Sequence, residues 1–264
     1  MCKKILFFRS LLVLAVLLLM SAAAWADVSV ALSDNLIVID SRDRSGMIEL
    51  VNLSADPTEF TLQIQNVEGS EVDGETLIRW APRRSQVPAN RTAPFRVSAR
   101  PQKDLPPGEY LIRVGVSARL MAPPPVVETK KNQNGEIEQT IAVVVPIVPV
   151  LPVTVYYRHQ IDTPMIDAQA LVATPDDEKY LGYFPVVKRT PQYSFVGTVQ
   201  VVEQATGKVI NQGRLHLKQG TESSRVRMPR GEQALVPGTT YCLNIWDRFP
   251  AKGQPVQQVC GAVD

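Results

Sequence analysis

The chain is poor in the residues that do chemistry. It has only two histidines and three cysteines, and 28 basic against 26 acidic residues leave a formal charge of +2. Without an excess of one sign there is no electrostatic footprint for nucleic acid or an anionic membrane surface. Gly-x-Ser-x-Gly, His-Glu-x-x-His, Cys-x-x-Cys and a glycine-rich phosphate loop ending in Lys-Ser/Thr are all missing. Their absence removes the signatures of serine hydrolases, zinc peptidases, thiol oxidoreductases and P-loop nucleotide binders. His159 and His216 stand far apart in sequence and read as surface or strand residues rather than metal ligands. Asp176-Asp177-Glu178 follows Pro175 without the spaced ligands of a calcium loop, so it reads as a solvated turn. Aromatics are 6% of the chain, and Trp80 and Trp246 fall in expected strands, where packing explains them better than sugar stacking. We therefore expect no enzyme, no cofactor, no metal and no small-molecule substrate.

What is present begins with a secretory signal. Lys3, Lys4 and Arg9 precede the apolar run Leu11–Met20, and Ala24-Trp25-Ala26 forms a small-x-small cleavage site before Asp27. The run is short for a membrane span, which needs roughly 17–25 residues. Cleavage after Ala26 removes three positive charges and no acid, leaving 25 bases against 26 acids. It also removes Cys2. Cys242 and Cys260, 18 positions apart, then read as one disulfide in an oxidising compartment, with two unpaired thiols as the other reading.

The mature sequence alternates apolar and polar residues at period two between turn signals. In Met47–Leu53, Ile48, Leu50 and Asn52 share one face; Phe60, Leu62 and Ile64 alternate with Thr61, Gln63 and Gln65. Asp73-Gly74, Pro106-Pro107-Gly108, Ala205–Lys208 and Pro237-Gly238 mark turns. Further strands are expected at Tyr110–Ser117, Tyr193–Val202, Arg214–Leu217, Ser223–Met228 and Tyr241–Trp246, and no stretch shows a sustained helical period. Glu128–Glu138 is polar around Asn134-Gly135, a strong hairpin-turn signal. Ile141–Tyr157 is unusually apolar and carries Pro146, Pro149 and Pro152, so it should lie at a sheet edge or bulge. Either a functional edge or a buried strand with a stiff linker fits that composition. Asn52-Leu53-Ser54 and Asn90-Arg91-Thr92 match the glycosylation triplet, a pattern that often arises by chance. The whole reads as all-β: two β-sandwich domains in tandem, 27–158 and 159–264, after a signal at 1–26.

An exposed apolar strand in a secreted protein can pair with a partner strand, with Ile141, Val143, Val145 and Ile147 entering the partner's groove. Several segments in order resemble the PapD-like periplasmic pilus chaperones. They are Val28–Asp40, Met47–Ile64, Trp80-Ala81-Pro82 through Val97, Leu105–Val114 (LPPGEYLIRV) and the apolar run ending Tyr156-Tyr157-Arg158. The resemblance implies two immunoglobulin-like domains in a boomerang and residence in the periplasm. It also implies partners: secreted pilin-like or other surface subunits, capped by a donated strand and passed to an outer-membrane usher. Glu109, Arg158 and Asp247 match the family's interdomain salt-bridge cluster, and an Arg between two carboxylates can pair with both through its planar fork.

Two features depart from the family. The positions of its carboxylate-anchoring Arg and Lys hold Leu36 and Thr154, and three prolines interrupt the donor run. The chain thus reads as a divergent branch, with Arg42, Arg44 and Arg79 as nearby cations. The alternative is a two-domain immunoglobulin-like envelope adaptor or scaffold that keeps the fold and the brace but not subunit capping. Self-capping as a dimer through the apolar edge also stays open.

Overall fold

The computed structural model describes residues 29–65, 72–100, 102–121, 128–131, 137–140, 148–230 and 238–262. The expected signal segment and the expected donor residues Ile141, Val143, Val145 and Ile147 lie outside these. The chain is all-β and divides into two compact units.

The first unit packs two sheets. One orders β1 (Val30–Leu32), β3 (Ser45–Asn52), β7 (Thr92–Ala99) and β5 (Ile78–Ala81). The other orders β2 (Leu36–Ile39), β11 (Val150–His159), β8 (Gly108–Leu120), β4 (Thr58–Gln65) and β6 (Arg84–Val87). The strands form because their alternation sends one apolar face inward. Ile48, Leu50, Phe95 and Val97 from the first sheet are buried, as are Phe60, Leu62, Val114 and Val153 from the second. Each such side chain contributes about 1.5–3 kcal/mol by leaving water. The sheets approach closely at Gly46, where a Cβ would lie 2.5 Å from Ile37 Cγ2. Between β8 and β11 a small hairpin pairs β9 (Glu128–Lys131) with β10 (Ile137–Thr140), on either side of Asn134-Gly135.

One inward position is polar. Asn52, fully buried, donates through Nδ2 to the carbonyls of Asp56 (2.9 Å), Val87 (3.0 Å) and Pro88 (3.1 Å). Its Oδ1 accepts from Ser54 N (2.9 Å) and Thr58 Oγ1 (3.1 Å). The amide therefore ties the end of β3 to the end of β6 across the sandwich. Its burial explains why this triplet is no surface acceptor.

The second unit comprises residues from Tyr156 onward together with Val38–Arg44 and Pro101–Leu111, two segments that lie within 27–158. In one of its sheets β14 (Tyr180–Lys188) is central; β12 (Ile166–Ala168) and β13 (Val172–Ala173) pair with it, as does β17 (Ser223–Pro229). The other orders β16 (Val209–Leu217), β15 (Phe195–Glu203), β18 (Thr240–Trp246) and β19 (Gln257–Ala262). Phe184 and Met228 from the first meet Phe195, Val201 and Ile245 from the second in one core. Gly197 is required where β15 passes β18, since a Cβ would lie 2.2 Å from the Trp246 carbonyl oxygen. Cys242 and Cys260 sit directly opposite each other in β18 and β19 and form a disulfide, Cα atoms 4.0 Å apart. For a loop of this length the cross-link contributes about 3 kcal/mol in the chain-entropy model.

Three expectations need correction. Asp73-Gly74 opens a short helix, α1 (Gly74–Leu77), because Asp73 accepts the Glu75 N–H as an N-cap at 3.0 Å. β11 is not an edge strand: it lies between β2 and β8. It tolerates Pro152 because the four residues of β2 flank only part of its ten. Thr154 N donates to Asn35 O at 2.8 Å, two residues beyond that proline. Trp80 and Trp246 are half-buried rather than in the core; Arg83 lies 5.5 Å over the Trp80 ring, and Trp246 Nε1 donates to Gly253 O at 3.0 Å.

Candidate functional site

In the first unit, the inward residues of β8 and β11 leave Arg113 and Thr154 on the opposite face of the sheet. Arg113 is exposed and Thr154 half-buried, as is Leu36 on β2. Arg113 Nη1 donates to Thr154 Oγ1 at 2.9 Å. A guanidinium has five N–H groups in a planar fork, and one neutral acceptor leaves room for a carboxylate. The outward side chains of β11 nearer its start, Val150 and Pro152, are exposed and apolar. This face therefore joins an apolar strip to a cation. Arg113 was not among the cations that the sequence singles out, because only strand register reveals that it neighbours Thr154.

The second unit buries a charged network. Glu109 and Arg158 form an ion pair at 2.9 Å, with side-chain exposures of 0% and 2%. Burying two charges is costly unless every remaining lone pair and proton is used. Here Glu109 also accepts from Ser194 N (2.6 Å), Ser194 Oγ (2.7 Å) and Gln219 Nε2 (3.2 Å), while Arg158 Nη2 donates to Ser194 O (2.8 Å). Beside it Lys188 Nζ donates to the carbonyls of Pro191, Tyr193 and Lys218 at 2.7–2.9 Å. Burial pushes the Lys188 pKa down, and Glu109 and Glu222 oppose the shift.

Asp247 is not part of this pair. Arg42 Nη1 holds it at 2.7 Å, and Arg248, which also meets Asp43 at 3.2 Å, lies 3.8 Å away. Asp247 follows β18 directly, where Arg42 of the charged segment Ser41–Gly46 reaches it. Just before that segment Asp40 is pulled in two directions. Partial burial raises its pKa, but N–H donors from Asp43 and Arg42 and the Arg42 guanidinium outweigh this and hold it below the usual carboxylate value.

His216 shares a 3.0 Å hydrogen bond with Tyr156 Oη, and His159 one of 3.3 Å with Tyr157 Oη. Asp177 accepts the N–H groups of Lys179 and Tyr180, organising its turn. Among the described residues no cluster of His, Cys, Asp or Glu could hold a metal ion, and no helix is long and apolar enough to cross a membrane.

No family model and no curated protein matches the chain. Among solved structures it is similar to the Salmonella enterica SafB chaperone in complex with SafA pilin, at 17% identity. That match covers 91% of this chain and 99% of the other, with a TM-score of 0.42. It is also similar to the E. coli chaperone DraB (12% identity, 90% and 98% covered, TM-score 0.41). A third is the Pseudomonas aeruginosa CupB2 chaperone (11%, 89% and 100%, TM-score 0.39). The similarity at these values is distant.

Proposed function

We propose that the chain is a periplasmic chaperone-like protein that binds pilin-like or other surface subunits by lending them a strand from the 141–153 region. The observation that carries this reading is the Arg113 guanidinium on Thr154. A terminal carboxylate held near the end of a donor strand needs a cation there, and neither Leu36 nor Thr154 is one. Arg113, from the neighbouring strand, brings its fork to within 2.9 Å of Thr154 Oγ1. The apolar run leads directly into β11, so a strand paired along it would arrive at this cation. Ile141, Val143, Val145 and Ile147 are the side chains assigned to the subunit's groove.

The reading includes export with cleavage after Ala26 and an outer-membrane usher as acceptor. Glu109 and Arg158 are assigned to bracing, since they fasten segment 101–111 within the second unit; Asp247 and Arg42 do the same for segment 38–44.

The test is affinity purification of the tagged mature protein from its native periplasm, with mass spectrometry. A small β-rich subunit should be recovered at one-to-one stoichiometry with wild type and lost with Val143→Asp/Val145→Asp. Recovery of the protein alone, or paired only with itself, would favour an envelope adaptor.

A further inference from the structure

The outer face of the second unit's β14–β17 pair carries a regular array of guanidinium and aromatic groups. Leu181, Phe184 and Val186 point into the core from β14, as do Val226 and Met228 from β17. Tyr180 and Tyr183 therefore face outward, together with Arg225 and Arg227. The pairing register sets Tyr183 opposite Arg227 and Pro185 opposite Arg225. Yet each arginine leans diagonally to the next ring: Arg225 lies 4.6 Å over Tyr183, and Arg227 lies 4.9 Å over Tyr180. Both forks are thus held in one direction, and stacking leaves their N–H edges free.

Neither arginine has a carboxylate in an ion pair among the described residues. Two acids of the same sheet and its turn are engaged elsewhere. Asp167 is held by Arg189, and Asp177 accepts backbone N–H groups. We propose that this face docks an acidic polypeptide segment in extended conformation, with Arg225 and Arg227 each taking one carboxylate.

The geometry selects that occupant. Two residues along a strand place the arginines roughly 7 Å apart, the separation of alternate side chains in an extended partner. Arginine forks match carboxylates in bidentate geometry. An anionic membrane would call for a cluster of about four to eight basic residues, and this face offers two. Main-chain strand addition at the β17 edge is blocked, because Asn211 Nδ2 already donates to Arg227 O at 2.7 Å and Pro229 has no N–H. Recognition therefore runs through side chains. The face is separate from the donor-strand reading and does not depend on it.

The experiment measures fluorescence anisotropy of a labelled synthetic peptide alternating glutamate and threonine, with the mature full-length protein at low salt. The expected result is saturable binding that weakens with salt and falls at least about tenfold in Arg225→Gln/Arg227→Gln, the scale of lost charged hydrogen bonds. Arg225→Lys/Arg227→Lys, which keeps the charge but not the fork, should weaken it severalfold. Equal binding of the glutamine-threonine peptide would overturn the proposal. So would full binding by both double variants, or preference for phosphatidylglycerol vesicles over the peptide.

Discussion

Arg113 and Thr154 meet across β8 and β11 through a 2.9 Å hydrogen bond that uses one of the guanidinium's donors, and among the described residues Arg113 has no ion-pair partner. If that cation receives a subunit's terminal carboxylate, Arg113→Ala should weaken capture by at least about tenfold, as a lost charged hydrogen bond does. Stability should stay within about 0.5 kcal/mol, as for most surface substitutions. Titrating a subunit's terminal strand peptide as free acid and as amide checks this. Wild type should prefer the acid and Arg113→Ala should not; an unchanged preference would remove Arg113 from the site.

Two ion pairs of the second unit should differ sharply in weight. Arg158→Ala would leave Glu109 charged and enclosed, a change that costs about 3–5 kcal/mol. Arg158→Lys should recover only part, because one ammonium cannot reproduce both the Glu109 and Ser194 contacts. Arg42 is more open, at 35% side-chain exposure, so Arg42→Ala should cost no more than about 1 kcal/mol. Urea unfolding of the three variants ranks them. Equal losses for Arg158→Ala and Arg42→Ala would show that enclosure does not set the difference.

The pH dependence of stability should carry a mark of His216. Partial burial lowers its pKa below the usual histidine value; Arg214 and Lys218 add to this, and Glu109 opposes it. The unfolded chain then binds a proton more readily than the folded one. Stability is therefore lost as pH falls through the ordinary histidine pKa toward the lowered one. Melting curves between pH 7.5 and 5 (about the range in which histidine titrates) should fall less steeply for His216→Gln than for wild type. Identical slopes would mean that His216 titrates as if unfolded.

The β class, the inward faces and the cysteine pair are legible because each rests on local pattern: Ile48 and Leu50 alternate with Met47 and Glu49, and only Cys242 and Cys260 lie outside the expected signal. Arg113 was not legible, because its meaning depends on β8 lying beside β11 in one particular register. Asp247 shows the same limit. Its neighbours in sequence place it at a strand end, but which cation reaches it depends on how the Ser41–Gly46 turn packs. The three prolines argue for an edge, whereas a short flanking strand also accommodates Pro152, the one that lies within β11.

Asn52 sets the last prediction. An apolar residue at this inward position would fit the strand pattern, yet five polar groups converge on its amide. Asn52→Ala strands the buried carbonyl of Val87 and removes the acceptor of Ser54 N and Thr58 Oγ1. With each unsatisfied buried group costing about 1–3 kcal/mol, the total should exceed about 3 kcal/mol. Asn52→Asp should be worse still, since it keeps the acceptor but turns a negative charge toward carbonyl oxygens. Thr58→Val, which removes a single bond at the same place, should cost much less. Urea unfolding of the three variants should give the order Asp, Ala, then Val in severity. If Asn52→Ala is no more damaging than Thr58→Val, the amide fills space at the end of β3 rather than joining the two sheets.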